Sequence, residues 1–193
     1  MGPQPDAKVE KRPPAVIDMS PAVSPDGKTV AFARGGQIWL VQSDGANERL
    51  LTSFAAPEED AQRVVSNPCW SPAGDALIFV SFGDGSGQLT LSVWLASPQP
   101  GSERSIYSEK VDTEYGVYYA ECTNPPVFEA GGARVLFTSI STGQPRVMSV
   151  AVDGTDAREV AAAPSAFPAL DPAGQRLAYV DLSDSLKPSA SST

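Results

Sequence analysis

The chain has 193 residues, 41% of them hydrophobic, and a formal net charge of −9 from 14 basic and 23 acidic side chains. The apolar share is enough for a packed core and argues against global disorder, while the acidic balance and scattered Lys and Arg disfavour a groove for polyanions. It contains no histidine, which removes Ser–His–Asp and Cys–His nucleophilic sites and His-containing zinc sites from this chain and makes enzymatic chemistry of its own unexpected.

Residues 1–15 read as a flexible tail. Lys8, Lys11 and Arg12 are interspersed with Pro3, Pro5, Pro13 and Pro14, without the continuous apolar stretch of a secretory leader. No run approaches the roughly 18–20 apolar residues needed to cross a bilayer. From residue 21 a twelve-residue phrase is written four times, at 21–32, 68–79, 126–137 and 168–179, at intervals of 47, 58 and 42 residues. Each copy opens on Pro, has an apolar residue two places on, Gly at the seventh place and an aromatic at the twelfth: Phe32, Phe79, Phe137 and Tyr179. Self-similarity at such a period marks a solenoid, a propeller or an array.

Each copy reads as strand, turn, strand. Pro25–Gly27, Pro72–Gly74 and Pro172–Gly174 set a fixed φ and then a positive one, and the third copy replaces the Pro with a second glycine, Gly131 before Gly132. Short strands apolar on both faces follow at 29–33, 76–80, 134–138 and 176–180, which suits sheets sandwiched between neighbours. Third strands are predicted at 37–41, 89–95 and 146–152, and fourth strands at 48–51, 104–107 and 158–160. Four short antiparallel strands in about 40–45 residues make one β-propeller blade. Pro/Gly punctuation and period-two patterning exclude a helical solenoid. Trp39, Trp94 and Trp70 are expected in the core between blades. Cys69 and Cys122 lack metal-ligand spacing and read as small buried hydrophobes, with a bridge between neighbouring repeats as the alternative. No metal or cofactor is expected.

At residues 24–32, Ser-Pro-Asp-Gly-Lys-Thr-Val-Ala-Phe, and 37–52, Gln-Ile-Trp-Leu-Val-Gln-Ser-Asp-Gly-Ala-Asn-Glu-Arg-Leu-Leu-Thr, the chain resembles the WD-like β-propeller repeat of the TolB family. Similar repeats occur in the propellers of prolyl oligopeptidases and dipeptidyl peptidases. The likeness is strongest over 21–52, good at 68–80 and 168–180, and degenerate over 126–160. It implies an all-β propeller, and a bacterial cell-envelope setting such as the periplasm. It does not imply an activity. The count departs from the family. Residues 16–182 encode about three and a half to four blades, incomplete beside the usual six to eight, and 183–193 read as a disordered tail. Three closures are open: a strand from residues 16–19 added to the fourth repeat, a second copy that completes the ring as a homodimer, or a longer propeller of which this is a piece.

Strand order gathers the turns after first and third strands at one rim and the connections after second and fourth strands at the other. That second rim receives the long segments 53–67 and 108–124, and longer loops on a rigid scaffold are where binding concentrates. Residues 111–121 place Tyr115, Tyr118 and Tyr119 beside Asp112, Glu114 and Glu121, a composition that favours protein contact; the competing reading is that the tyrosines pack beneath their own loop. The loop at 82–87 is read as a hairpin, since Asp84 and Ser86 alone do not make a calcium site. The expectation is therefore a non-enzymatic module binding a protein or peptide. Its rivals are a fragment of the substrate-gating propeller of a peptidase, which needs a separate Gly-x-Ser-x-Gly elbow and His, and a structural assembly unit.

Overall fold

Four recurrent turns organise the molecule, each closed by the same backbone bonds. The glycine amide at the seventh position donates to the carbonyl three residues back: Gly27 to Ser24, Gly74 to Ser71, Gly132 to Glu129 and Gly174 to Asp171, all at 2.8–2.9 Å. Each of these glycines has φ between 65° and 75°, where a side chain is strained. Side chains at the fourth position brace the first two turns. Ser24 Oγ accepts from the Thr29 amide and donates to Asp26, and Ser71 Oγ accepts from the Ala76 amide and donates to Asp75. In the fourth repeat Asp171 Oδ1 takes the Gln175 and Arg176 amides instead.

The computed structural model describes residues 19–58, 63–111, 125–140, 144–162 and 164–183. The first sheet holds β1 (Met19–Val23), β2 (Thr29–Arg34), β3 (Gln37–Gln42) and β4 (Arg49–Leu50). The second holds β5 (Val64–Trp70), β6 (Leu77–Phe82), β7 (Thr90–Ala96) and β8 (Arg104–Lys110). The third holds β9 (Val127–Phe128), β10 (Arg134–Ser139), β11 (Arg146–Ala151) and β12 (Arg158–Glu159). A fourth sheet has two strands among the described residues, β13 (Ser165–Leu170) and β14 (Leu177–Asp181). All pairs are antiparallel and each complete sheet is ordered by sequence. This is a partial β-propeller, with four strands in each of blades I to III and, among the described residues, two in the half-built blade IV. β8 runs to Lys110, three residues past its predicted end, while β4 and β12 are only two residues long.

Two clusters fill the spaces between blades. Ala31, Ala33, Ile38 and Leu40 of blade I meet Leu77, Phe79 and Trp70 of blade II. The other face of blade II, with Ile78, Val80, Leu91 and Val93, meets Phe128, Val135 and Phe137 of blade III. Both faces of β6 are thus consumed, as its unbroken apolar run requires. Leu89, Leu91, Val93 and Leu95 all lie on the blade III side of their strand, as their alternation predicts. Trp70 and Trp94 occupy the first cluster, and Trp70 Nε1 donates to the Ala22 carbonyl across the blades. Trp39 does not meet its expectation. Its partner across the ladder is Phe32, so it faces away from blade II, on the outer side of blade I. The repeat places the side chain on a sheet face; which face has a neighbour depends on blade I being the first of the described stack.

Three innermost strands carry a bulge before the repeat proline. Ser20, Asn67 and Phe167 have φ of 52°, 55° and 61°, and the ladders shift register there. The bulge turns polar groups sideways. Ser20 Oγ donates to Asn67 Oδ1 of the next blade, and the Phe167 amide donates to Thr138 Oγ1 of blade III.

Candidate functional site

The rim formed after second and fourth strands is the candidate surface, and its first long connection is fixed in place. Thr52 Oγ1 accepts from the Ile38 amide and donates to Gln37 Oε1; Gln37 Nε2 in turn donates to the Phe54 carbonyl. Ser53 gives both its amide and its hydroxyl to Glu103 Oε1, at 2.7 Å each, which ties blade I to blade II. Phe54 then sets its edge against Trp94, with centroids 4.8 Å apart, and Phe79 stacks on the same indole. Arg63 closes the arrangement. Its guanidinium lies 5.0 Å from the Phe54 ring centroid and donates to the carbonyls of Ala55 and Asp84.

The hairpin after β6 belongs to the same assembly. The Gly85 carbonyl accepts from the Glu58 amide, and a side chain at Gly85 would meet Arg63 Nη2 at 2.7 Å. Asp84 Oδ1 accepts from the Ser86 amide, the Ser86 hydroxyl and the Gln88 amide. These bonds, led by those from Ser86, hold the Asp84 carboxyl below its ordinary range. Asp84 Oδ1 thus shapes the hairpin that the sequence predicts between β6 and β7. Among the described residues no group of three or more His, Cys, Asp and Glu gathers as a metal centre.

The second long connection begins on a fixed point. Val111 is buried in the cluster between blades II and III and donates its amide to Leu89. Pro125 lines the axial cleft. Asp112, Glu114, Tyr115, Tyr118, Tyr119, Glu121 and Cys122 lie between these two residues, outside the described residues. Beside Val111 is a polar network that sequence reading missed. Glu109 Oε2 accepts from Tyr107 Oη and Ser139 Oγ, and Oε1 accepts from the Ile140 amide, all at 2.7 Å. Burial first, then the Glu109 carboxylate, push the Tyr107 phenol up to about 12. The network staples the end of β8 to the end of β10, next to where 112–124 departs.

The axis forms a second concavity, a cleft of about 510 Å³ lined by Pro21, Trp70, Pro72, Pro125, Phe128 and Asp171 among others. Cys69 borders it as a free thiol, its pKa pushed up by burial. It is half-buried against the cluster between blades II and III, and the raised pKa lowers its nucleophilicity. The cleft is a wall of prolines and aromatics with few polar groups to orient a ligand.

No protein-family model matches the chain, and no curated protein matches it. Solved structures do. One is a chain of the nidogen/laminin complex, at TM-score 0.60 and 14% identity over 87% of this chain and 58% of that one. Another is an oligogalacturonate lyase from Vibrio parahaemolyticus, at TM-score 0.61 and 11% identity over 84% and 46%. A puromycin-hydrolyzing peptidase from Mycobacterium tuberculosis matches at TM-score 0.55 and 17% identity over 85% and 28%. The chain thus spans little more than half the length of these structures at most. A putative TolB from Agrobacterium tumefaciens also matches, at TM-score 0.41 and 17% identity over 87% and 72%. At these identities the likeness is one of fold. Among the described residues no helix is long and apolar enough to cross a membrane.

Proposed function

We propose that this propeller module binds a protein or peptide partner on the rim of long connections, with Asp112, Glu114, Tyr115, Tyr118, Tyr119 and Glu121 as its contacts. The observation that supports this most is the fixed base from which the long segment starts. Val111 is buried between blades II and III, beside the Glu109 staple at the end of β8. A rigid base under a tyrosine-rich segment limits the ordering cost of binding, and tyrosines supply contact area with few torsions to freeze. The carboxylates favour a partner segment that carries Lys or Arg. The module needs no chemistry of its own, and the resemblance of its repeats favours a bacterial cell-envelope setting. The peptidase-gating reading gives the same rim to a catalytic domain, and the assembly reading gives it no ligand.

A displayed library of linear peptides selected on the wild-type chain tests the proposal. Selected peptides are enriched in Lys, Arg and aromatic residues. Tyr115→Ala and Tyr118→Ala weaken their binding by calorimetry at least about tenfold, the size expected of an interface anchor, with the unfolding midpoint unchanged. Failure to select any binder, or equal binding by both variants, overturns the proposal.

A further inference from the structure

The outer face of blade I repeats a surface that elsewhere in the molecule is covered by another blade. Phe32 pairs with Trp39 across β2 and β3 as Phe79 pairs with Trp94 across β6 and β7. In blade II that aromatic pair, with Leu77, is covered by Ala31, Ala33, Ile38 and Leu40 of blade I, and Phe79 is fully buried. In blade I the matching pair looks outward. Val30 and Val41 stand beside it in ladder register, and Met19, Val23 and Leu50 are 45%, 60% and 39% exposed. Arg34 lies over the rings of Phe32 and Trp39, at 4.8 and 5.3 Å, and is held there by Glu48. This ion pair leaves the face apolar towards its middle and polar at its edge, the layout of a protein interface.

The opposite end of the stack carries the complementary surface. In the repeat, Ala178 and Val180 of β14 hold the places of Ala31 and Ala33, the small side chains that seat against the Phe79–Trp94 pair. Val180 is 44% exposed. β14 also has an unpaired edge among the described residues, whereas β2, β6 and β10 each have a third strand in register. One chain therefore carries both sides of an interface that it already forms internally.

We infer that the occupant of the outer face of blade I is a second copy of this chain, seated through the face of blade IV that carries Ala178 and Val180. The contact is head-to-tail, and a twofold axis lets both copies make it at once. Among the described residues two copies bring six four-stranded and two two-stranded sheets, and eight blade positions fall within the range that closes a ring. Closure buries the exposed Met19, Val23, Leu50 and Val180, apolar surface that otherwise invites aggregation.

The test is native mass over a dilution series for the full chain and for Leu50→Glu and Val180→Glu. Both residues are more than one-third exposed, so neither change unfolds the subunit, and circular dichroism checks this. The wild type gives a species of twice 20.2 kDa that dissociates on dilution. Each variant raises the dissociation constant at least about tenfold, the effect of a charge left unpaired in an apolar contact. A chain that is monomeric throughout, a larger open assembly, or a dimer indifferent to both substitutions overturns the inference.

Discussion

Two turn glycines hold the same place in the repeat and answer to different constraints. Gly27 has φ +71°, and a methyl there would meet no atom within 4 Å. Gly174 has φ +65°, and its methyl would collide with the Cβ of Ala130 and stand 3.0 Å from that residue's Cα. Gly27→Ala therefore costs about 1–2 kcal/mol, the left-handed penalty alone. Gly174→Ala costs that and forces blade IV away from blade III as well. Urea unfolding of the two variants gives the larger loss for Gly174→Ala. The sequence shows both glycines equally. It does not show that the turn of the fourth repeat rests on the turn of the third, because that contact depends on how the blades lean together.

Among the elements, the joint between β8 and β10 has a pH signature. Tyr107 Oη donates to Glu109 Oε2, and its ring tilts against Phe137 with centroids 4.7 Å apart. Its phenol, ordinarily near 10.0, is raised to about 12 in the folded state. The folded protein holds this proton more tightly than the unfolded chain does. The resulting stabilisation is complete below pH 10 and is lost as pH rises towards 12. Unfolding midpoints measured from pH 8 to 12 fall over that window for the wild type, and fall less steeply for Tyr107→Phe. This joint was invisible in the sequence, because Glu109 and Ser139 are thirty residues apart in different blades. The strands themselves were legible, since Pro, Gly and the twelfth-position aromatic fix turn and register together. The bulges were not. Ser20, Asn67 and Phe167 share a left-handed φ but no chemistry, and only Asn adopts it readily. Packing around the axis imposes the bulge on these three unlike residues; the third repeat has Pro125 at this place, whose ring fixes a negative φ. The candidate contact residues were legible as a composition, tyrosines among acids, while the clamp by Arg63 was not, because an isolated Arg in a connection has no pattern.

In the whole molecule, one position in the repeat measures the stack. Phe79 and Phe137 are 0% and 2% exposed between complete blades, whereas Tyr179 on the half-built blade is 45% exposed. Phe32 holds that place on the outer face of blade I and is 6% exposed, with the Arg34 guanidinium over its ring; Tyr179 lies on the opposite face of β14 from Ala178 and Val180 and has no third strand beside it among the described residues. Burial at this place follows what lies over and beside it, which is why Trp39 and Trp94 share a position but not an environment. The most direct measurement is the unfolding free energy of Phe79→Ala, Phe137→Ala and Tyr179→Ala, taken at a concentration where the chain is a single copy. Blades stacked in sequence order predict losses of about 3–5 kcal/mol for the first two and a loss near 1 kcal/mol, the typical cost of a point substitution, for the third. Equal losses at all three positions would contradict the stacking order on which the rim, the axial cleft and the open blade face all depend.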